Sequence, residues 1–300
     1  MLLTLGIFVL SLVLIMVRPR PLNEGTAASL GAFLMLVTGL VSPPQAIEVF
    51  KANANILLFF VGLMVISAVA DQAGFFAWSA VKAIRLAGGD GRKLLLVIFG
   101  LGILITTFFS NDSTALIMTP IVFALVTHLR MNPLPYVFVC TFIANTASII
   151  LPVSTPVNIL PVDSFGLTLG EYLRHLWLPA ILVIAVNILL FLFIFRKDIP
   201  ARFQDDSREN VKIGGFFLFT CVGLVLIAAG YLVASAHGWP LAWPAVGGAA
   251  LLVAGAAGFR HLNLRRVRSG ISWSILLFIV SLGWYRGWKM RALPTCWEKR

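Results

Sequence analysis

The sequence predicts an all-α polytopic membrane protein built from two inverted repeats, the second of them incomplete. Three observations carry this expectation. Of the 300 residues, 59% are hydrophobic and 12% charged, with a mean hydropathy of +0.96; an ordinary soluble domain has about 25% charged residues. Apolar segments near the length of a bilayer span recur along the whole chain, several of them broken by prolines or short polar clusters. Three early segments also have look-alikes late in the chain, in the same order.

Residues 2–17 form the first span. No basic residue precedes them and no A-x-A site follows, so they read as retained, not as a cleaved leader. Segments 26–41 and 54–70 are the next two spans. The stretch 71–92, "DQAGFFAWSAVKAIRLAGGDGR", mixes Phe, Trp and Leu with Lys and Arg and reads as an amphipathic helix in the interface. Apolar arms 93–109 and 115–129 flank Ser110-Asn111-Asp112-Ser113-Thr114, which predicts a hairpin over 93–129, either re-entrant or a pair of full spans. A polar tip at membrane depth needs cover from protein or water. Residues 135–167 form a broken helix, interrupted at "ANTASIILPVSTPVN", and 176–195 is the span that closes the first repeat, 1–195. The polar stretch 196–214 is a linker. Segments 216–235, 241–258 and 271–283 open the second repeat, 215–283, and 284–300 is an aberrant tail.

The net charge of +11 reads as membrane topology, not as nucleic-acid binding. Basic residues crowd 18–20, 82–93, 130, 196–214 and 259–270, whereas 42–53, 152–173 and 236–240 hold only Lys51. Placing the basic loops in the cytoplasm gives one consistent path, with the N-terminus outside.

The repeat rests on three matches. "ILLFFVGL" (Ile56 to Leu63) resembles "ILLFIVSL" (Ile275 to Leu282). Gly31, Leu36, Val37 and Gly39 share their spacing with Gly247, Leu252, Val253 and Gly255, and "LVLI" occurs at both Leu12 and Leu224. The offsets are 212 to 219. An odd number of crossings before residue 216 inverts the second copy, an arrangement typical of secondary transporters, whose sites are built from interrupted helices near the midplane. The same offset puts a second hairpin near residue 310, past the last residue, and the tail "WYRGWKMRALPTCWEKR" carries Arg and Lys where the pattern wants apolar residues; the expectation is a truncated second repeat.

The two polar breaks hold the candidate site: Ser110, Asn111, Asp112, Ser113 and Thr114 in the first, Asn145, Thr146, Ser148, Ser154, Thr155 and Asn158 in the second. Pro152 and Pro156 prevent a clean helix and free backbone carbonyls. A carboxylate within a spanning element is costly and points to function, so Asp112 is the candidate for proton coupling. No HExxH, GxSxG or Walker A pattern occurs. Cys140, Cys221 and Cys296 are scattered, His128 and His175 look interfacial, and Gly88-Gly89-Asp90-Gly91 reads as a turn. The expectation is no enzyme, no metal site and no cofactor.

"FFSNDSTALIMTPIVFAL", "FIANTASIILPVSTPVNIL", "FGLTLGEYL" and "FRKDIP", in this order and spacing, resemble the arsenite/antimonite efflux permeases of the ion transporter superfamily, from residue 1 to about 282. The resemblance implies an inverted-repeat ion transporter fold in the bacterial inner membrane, a hairpin tip at Ser110, Asn111 and Asp112, and an unwound loop over Asn145 to Asn158. It implies export of arsenite or antimonite, driven by the proton-motive force or by a soluble ATPase subunit, with a second copy of the chain as a further candidate partner. A sodium- or proton-coupled dicarboxylate carrier, a Na⁺/H⁺ exchanger and an inactive truncated transporter are the alternatives. Asn145 stands where some relatives have Asp, and Thr155 where an Asn-Pro pair is common. The clusters contain hydroxyls and amides but no Arg or Lys, which suits a neutral, hydroxyl-rich substrate such as uncharged trivalent arsenic hydroxide.

Overall fold

The computed structural model describes residues 2–20, 22–155, 158, 162, 167–203, 213–237, 239–277 and 279–281. Most of the expected loop beyond Thr155, the middle of the linker, Cys296 and the tail 284–300 lie outside the described residues. Among the described residues the regular structure is all helical, with no strand. Among the described residues, four helices are long and apolar enough to cross a membrane. The chain divides into two compact units, residues 1–60 with 271–300, and residues 61–270.

The first unit holds α1 (Leu2–Val17), α2 (Glu24–Val37), α3 (Pro43–Ala52) and the first turns of α4 (Ala54–Gln72), with helical residues 273–277 and 279–281. Helix α2 is shorter than the expected 26–41. It starts from a reciprocal cap, in which Asn23 Oδ1 accepts the Thr26 N–H and Thr26 Oγ1 accepts the Asn23 N–H, both at 2.9 Å. It ends in a turn with Gly39 at φ 70°. The expected connection 42–53 contains α3, which begins with Pro43-Pro44, residues whose missing N–H costs nothing in a first turn. Small residues bring α2 against the late helix. A Cβ on Gly25 would lie 2.3 Å from the Ser274 carbonyl oxygen, and the Ser29 and Ser281 hydroxyls are 3.3 Å apart.

The second unit continues α4 and adds α5 (Phe75–Ala87), α6 (Gly91–Phe108), α7 (111–128), α8 (Leu134–Thr146), α9 (Leu169–Ile194), α10 (Gly215–Ala236), α11 (Ala242–Gly258) and α12 (Leu264–Gly270). Its core lies between α6 and α8. Leu94, Leu95, Ile98 and Phe99 face Tyr136, Val139, Cys140 and Ile143, each with at most 1% exposure. Gly102 admits the approach, since a Cβ there would sit 2.5 Å from Ile143 Cγ2. Gly62 of α4 packs similarly on α11, where a Cβ would meet the Ala245 carbonyl carbon at 2.8 Å. Helix α9 starts earlier than the expected 176, because Thr168 and Glu171 form a capping box. It exposes Leu182, Leu189 and Phe193, an apolar face that water would penalise and lipid tails match.

Two features fix the ends of these helices. After α9 the chain turns back as a strap, residues 196–203, that lies on the turn before α6. The Phe203 N–H donates to the Gly89 carbonyl at 2.8 Å, and Gly91 has no room for a Cβ, which would be 2.3 Å from the Pro200 carbonyl oxygen. The motif "FRKDIP" and the Gly-rich turn are thus packed against each other. Arg18, Arg130 and Arg260, just past the ends of α1, α7 and α11, adopt the left-handed conformation with φ 46°, 54° and 58°. That conformation costs a non-glycine residue about 1 kcal/mol.

Candidate functional site

The hairpin breaks at Phe109 and Ser110. Ser110 is extended (φ 169°, ψ 165°) and caps α7, its Oγ accepting the Ser113 N–H at 3.1 Å. Residues 114–118 of α7 then form a π turn. The cause is Pro120, which has no N–H to give and whose ring crowds the preceding turn. Thr119 absorbs the irregularity: its N–H and its hydroxyl, the latter at 3.2 Å, both donate to the Thr114 carbonyl.

Around this break is a buried cluster of hydroxyls. Ser110 Oγ and Ser113 Oγ are 2.9 Å apart, and Ser113 Oγ lies 2.7 Å from Ser67 Oγ of α4. Thr106 Oγ1 and Thr114 Oγ1, also 2.7 Å apart, tie the two arms together at the tip. All five residues are at most 5% exposed. Asn111 and Asp112 are half-buried. Asn111 Oδ1 is itself buried without a hydrogen-bond partner, and Asp112 makes no hydrogen bond or ion pair with another described residue.

The second break reaches the same place through one residue. Ser154, fully buried, donates its hydroxyl to the Thr107 carbonyl at 3.1 Å. Ser148 donates to the Asn145 carbonyl at 2.6 Å, and Asn158 Nδ2 donates to the Ser148 carbonyl at 2.8 Å, so these side chains hold the irregular chain together after α8. The Tyr172 hydroxyl adds a bond to the Ile149 carbonyl at 2.9 Å. Thr155 is 8% exposed. Asn145 and Thr146 lie apart from the hydroxyl cluster: each bonds back to its own helix, to the Thr141 carbonyl at 3.0 Å and the Phe142 carbonyl at 2.9 Å, and Asn145 is exposed.

Sequence reading passed over Ser67, Thr106 and Thr107. A lone Ser in the apolar α4 carries little signal, whereas the Thr106-Thr107 pair, four residues before Ser110 and Asn111, was visible as a polar step leading into the break. Cys140 is buried on α8 with its thiol 3.4 Å from the Tyr136 carbonyl, and no cluster of metal-ligating side chains occurs among the described residues. Chemically, the arrangement offers oxygen donors and acceptors with one carboxyl, and no fixed cation or nucleophile–base pair.

Comparison with known proteins gives a consistent picture. A family model described as citrate transporter matches residues 12–285. The arsenical pump membrane protein of Escherichia coli strain K12 is 37% identical over 292 residues, covering 95% of this chain and 68% of the relative. The protein of the same name from Yersinia enterocolitica is 35% identical over 292 residues, with the same coverage of 95% and 68%. An uncharacterized transporter of Synechocystis is 23% identical over 284 residues, covering 93% of this chain and 63% of its own length.

Proposed function

This chain belongs to the citrate-transporter family, among the arsenical pump membrane proteins, as a multi-pass transporter of the bacterial inner membrane, and on that premise we propose that it exports arsenite or antimonite. The observation that carries the reading is the buried hydroxyl cluster at the break of α6 and α7, joined by Ser154 from the second break. A neutral trihydroxide needs oxygen partners that donate and accept, and needs no counter-charge. Asp112 is the one carboxyl in either polar break and makes no ion pair within the described residues, so it is the group free to carry a proton. Its neighbours Ser110, Asn111, Ser113 and Thr114 shape the site from the hairpin side. Ser148, Ser154, Thr155 and Asn158 hold the facing loop, and Asn145 and Thr146 precede it at the end of α8, bonded to their own helix. The partners implied by the family are a soluble arsenite-stimulated ATPase and a second copy of the chain.

The duplication belongs to the same proposal, with residues 1–195 as the first repeat and 215–283 as the start of the inverted second. Two helix contacts support it. Ser29 meets Ser281, and Gly62 meets Ala245. By the offsets of the sequence match, Ala245 corresponds to Ser29 at 216, and Ser281 to Gly62 at 219. Each contact lies within its own unit and pairs a first-copy position with a second-copy one.

The test is arsenite accumulation in everted membrane vesicles carrying the 300-residue chain or its Asp112→Asn variant. The expected result is uptake driven by a proton gradient in the first and none in the second at equal expression. Equal uptake by both removes Asp112 from the coupling step. The family description favours a carboxylate as the competing cargo; sodium-driven citrate uptake without arsenite uptake selects that alternative.

A further inference from the structure

Thr107 belongs to neither polar cluster of the sequence, yet it is 7% exposed and its Oγ1 is buried with no hydrogen bond to a described residue. A hydroxyl in an apolar helix ordinarily returns to the carbonyl four residues back. Ser11, Ser79, Thr141, Thr146 and Thr220 all do so here. Its neighbour Thr106 is satisfied by Thr114 across the hairpin. Thr107 instead lends its carbonyl to Ser154 and leaves its hydroxyl unused, at the point where the two breaks meet. Four residues on, Asn111 Oδ1 is in the same condition. A buried hydroxyl and a buried amide oxygen, each unpaired, flank the helix break.

We propose that Thr107 is a further substrate-binding residue, and that its hydroxyl and Asn111 Oδ1 together select a neutral oxyacid through that acid's own O–H groups. This rests on the transport reading above and extends it to how the cargo is discriminated. Asn111 Oδ1 can only accept, so it rewards a ligand that donates. A carboxylate group or a deprotonated oxygen brings acceptors alone, and at this position would set lone pairs against a buried amide oxygen and bury a charge with no cation beside it. The Thr107 hydroxyl accepts one ligand O–H while donating to another ligand oxygen. A fully protonated trihydroxide satisfies both groups without bringing charge, whereas its conjugate base or citrate, although each keeps an O–H, buries negative charge where neither polar break supplies an Arg or Lys.

The experiment compares wild type with Thr107→Val, which keeps the shape and removes the hydroxyl, and Thr107→Ser, which restores it. Binding of arsenite to the purified chain is measured by equilibrium dialysis, with boric acid, citrate and sodium as competitors, beside KM and maximal rate in vesicles. Boric acid competes in wild type and citrate does not. Thr107→Val raises Kd and KM about tenfold, the loss of one good hydrogen bond, while Thr107→Ser stays within about twofold. Melting temperature separates binding from folding, because Val removes an unpaired buried hydroxyl and leaves stability equal or higher. Wild-type affinity in Thr107→Val overturns the inference and means that bound water satisfies the hydroxyl. Competition by citrate or sodium equal to that of boric acid also overturns it, as does a wild type that binds neither arsenite nor boric acid. Thr107-dependent binding without vesicle uptake keeps the inference and sinks the transport reading; vesicle uptake with normal Thr107→Val does the reverse.

Discussion

Gly91→Ala weighs two opposing effects at the base of the hairpin. Gly91 is the first residue of α6, and its φ is not in the left-handed region, so alanine fits the backbone and its helix propensity is better by up to about 1 kcal/mol. Against this, the new Cβ would lie 2.3 Å from the Pro200 carbonyl oxygen and 3.2 Å from Pro200 Cδ and Cγ. The nearest atom is backbone, so it cannot turn aside. The strap must lift by roughly 1 Å, as overpacking forces backbone shifts. Lifting loosens the Phe203–Gly89 backbone bond, a loss of about 0.5–1.5 kcal/mol. It also uncovers part of Ile199, now 5% exposed, whose full burial is worth about 1.5–3 kcal/mol. The clash wins, and the net expectation is a destabilisation of about 1–3 kcal/mol. The assay is the melting temperature of the detergent-purified protein together with hydrogen exchange over residues 196–203. A lower melting temperature with faster exchange in that segment is expected. A higher melting temperature with unchanged exchange refutes the argument, because it means propensity decided the outcome.

Two further outcomes follow from the geometry. Ser154→Ala strands the Thr107 carbonyl and should cost about 1–3 kcal/mol in chemical denaturation, the penalty of an unpaired buried acceptor; an unchanged midpoint would show that the two breaks are not joined there. Asp90 caps α6, and its carboxyl is held below the usual range chiefly by the Lys93 backbone N–H, then by that of Arg92. Because the folded value is depressed, this contribution is present above the unfolded carboxylate pKa of about 4 and is lost as pH falls through the lower folded one. Asp90→Asn should therefore lose the acid-side dependence while keeping the cap; identical melting curves from neutral pH down to about pH 2 would count against it.

How much of this was legible in the sequence varies with the physics involved. The apolar helices were, because burial and lipid contact impose long uninterrupted runs: 2–17 matches α1, and 241–258 lies within one residue of α11. The hairpin break was legible from Ser110 to Thr114, since polar residues in such a run need a reason. The π turn was not, although Pro120 announced a missing donor, because a missing donor can be answered by a kink, a bulge or a helix end alike. The short helices α3 and α12 went unseen because too few turns repeat for a period to show. Within the candidate site, the hairpin residues stand out in the sequence by their clustering. Ser67 was not, since its partner Ser113 lies 46 residues away and only tertiary packing brings them together. Asn145 and Thr146 illustrate the converse: their residue types suggested the cluster, and α8 turns them onto its own carbonyls, which only the helix geometry reveals.

The three left-handed arginines bear on how the helices lie in the membrane. Glycine would end α1, α7 and α11 without strain, yet Arg18, Arg130 and Arg260 stand there. Basic residues beside apolar helices favour the cytoplasmic side of a membrane, so an arginine at each reversal brings an orienting charge where glycine would supply only the turn. Folding strain of about 1 kcal/mol per site is thereby set against the contribution of that charge to how the helix lies in the membrane.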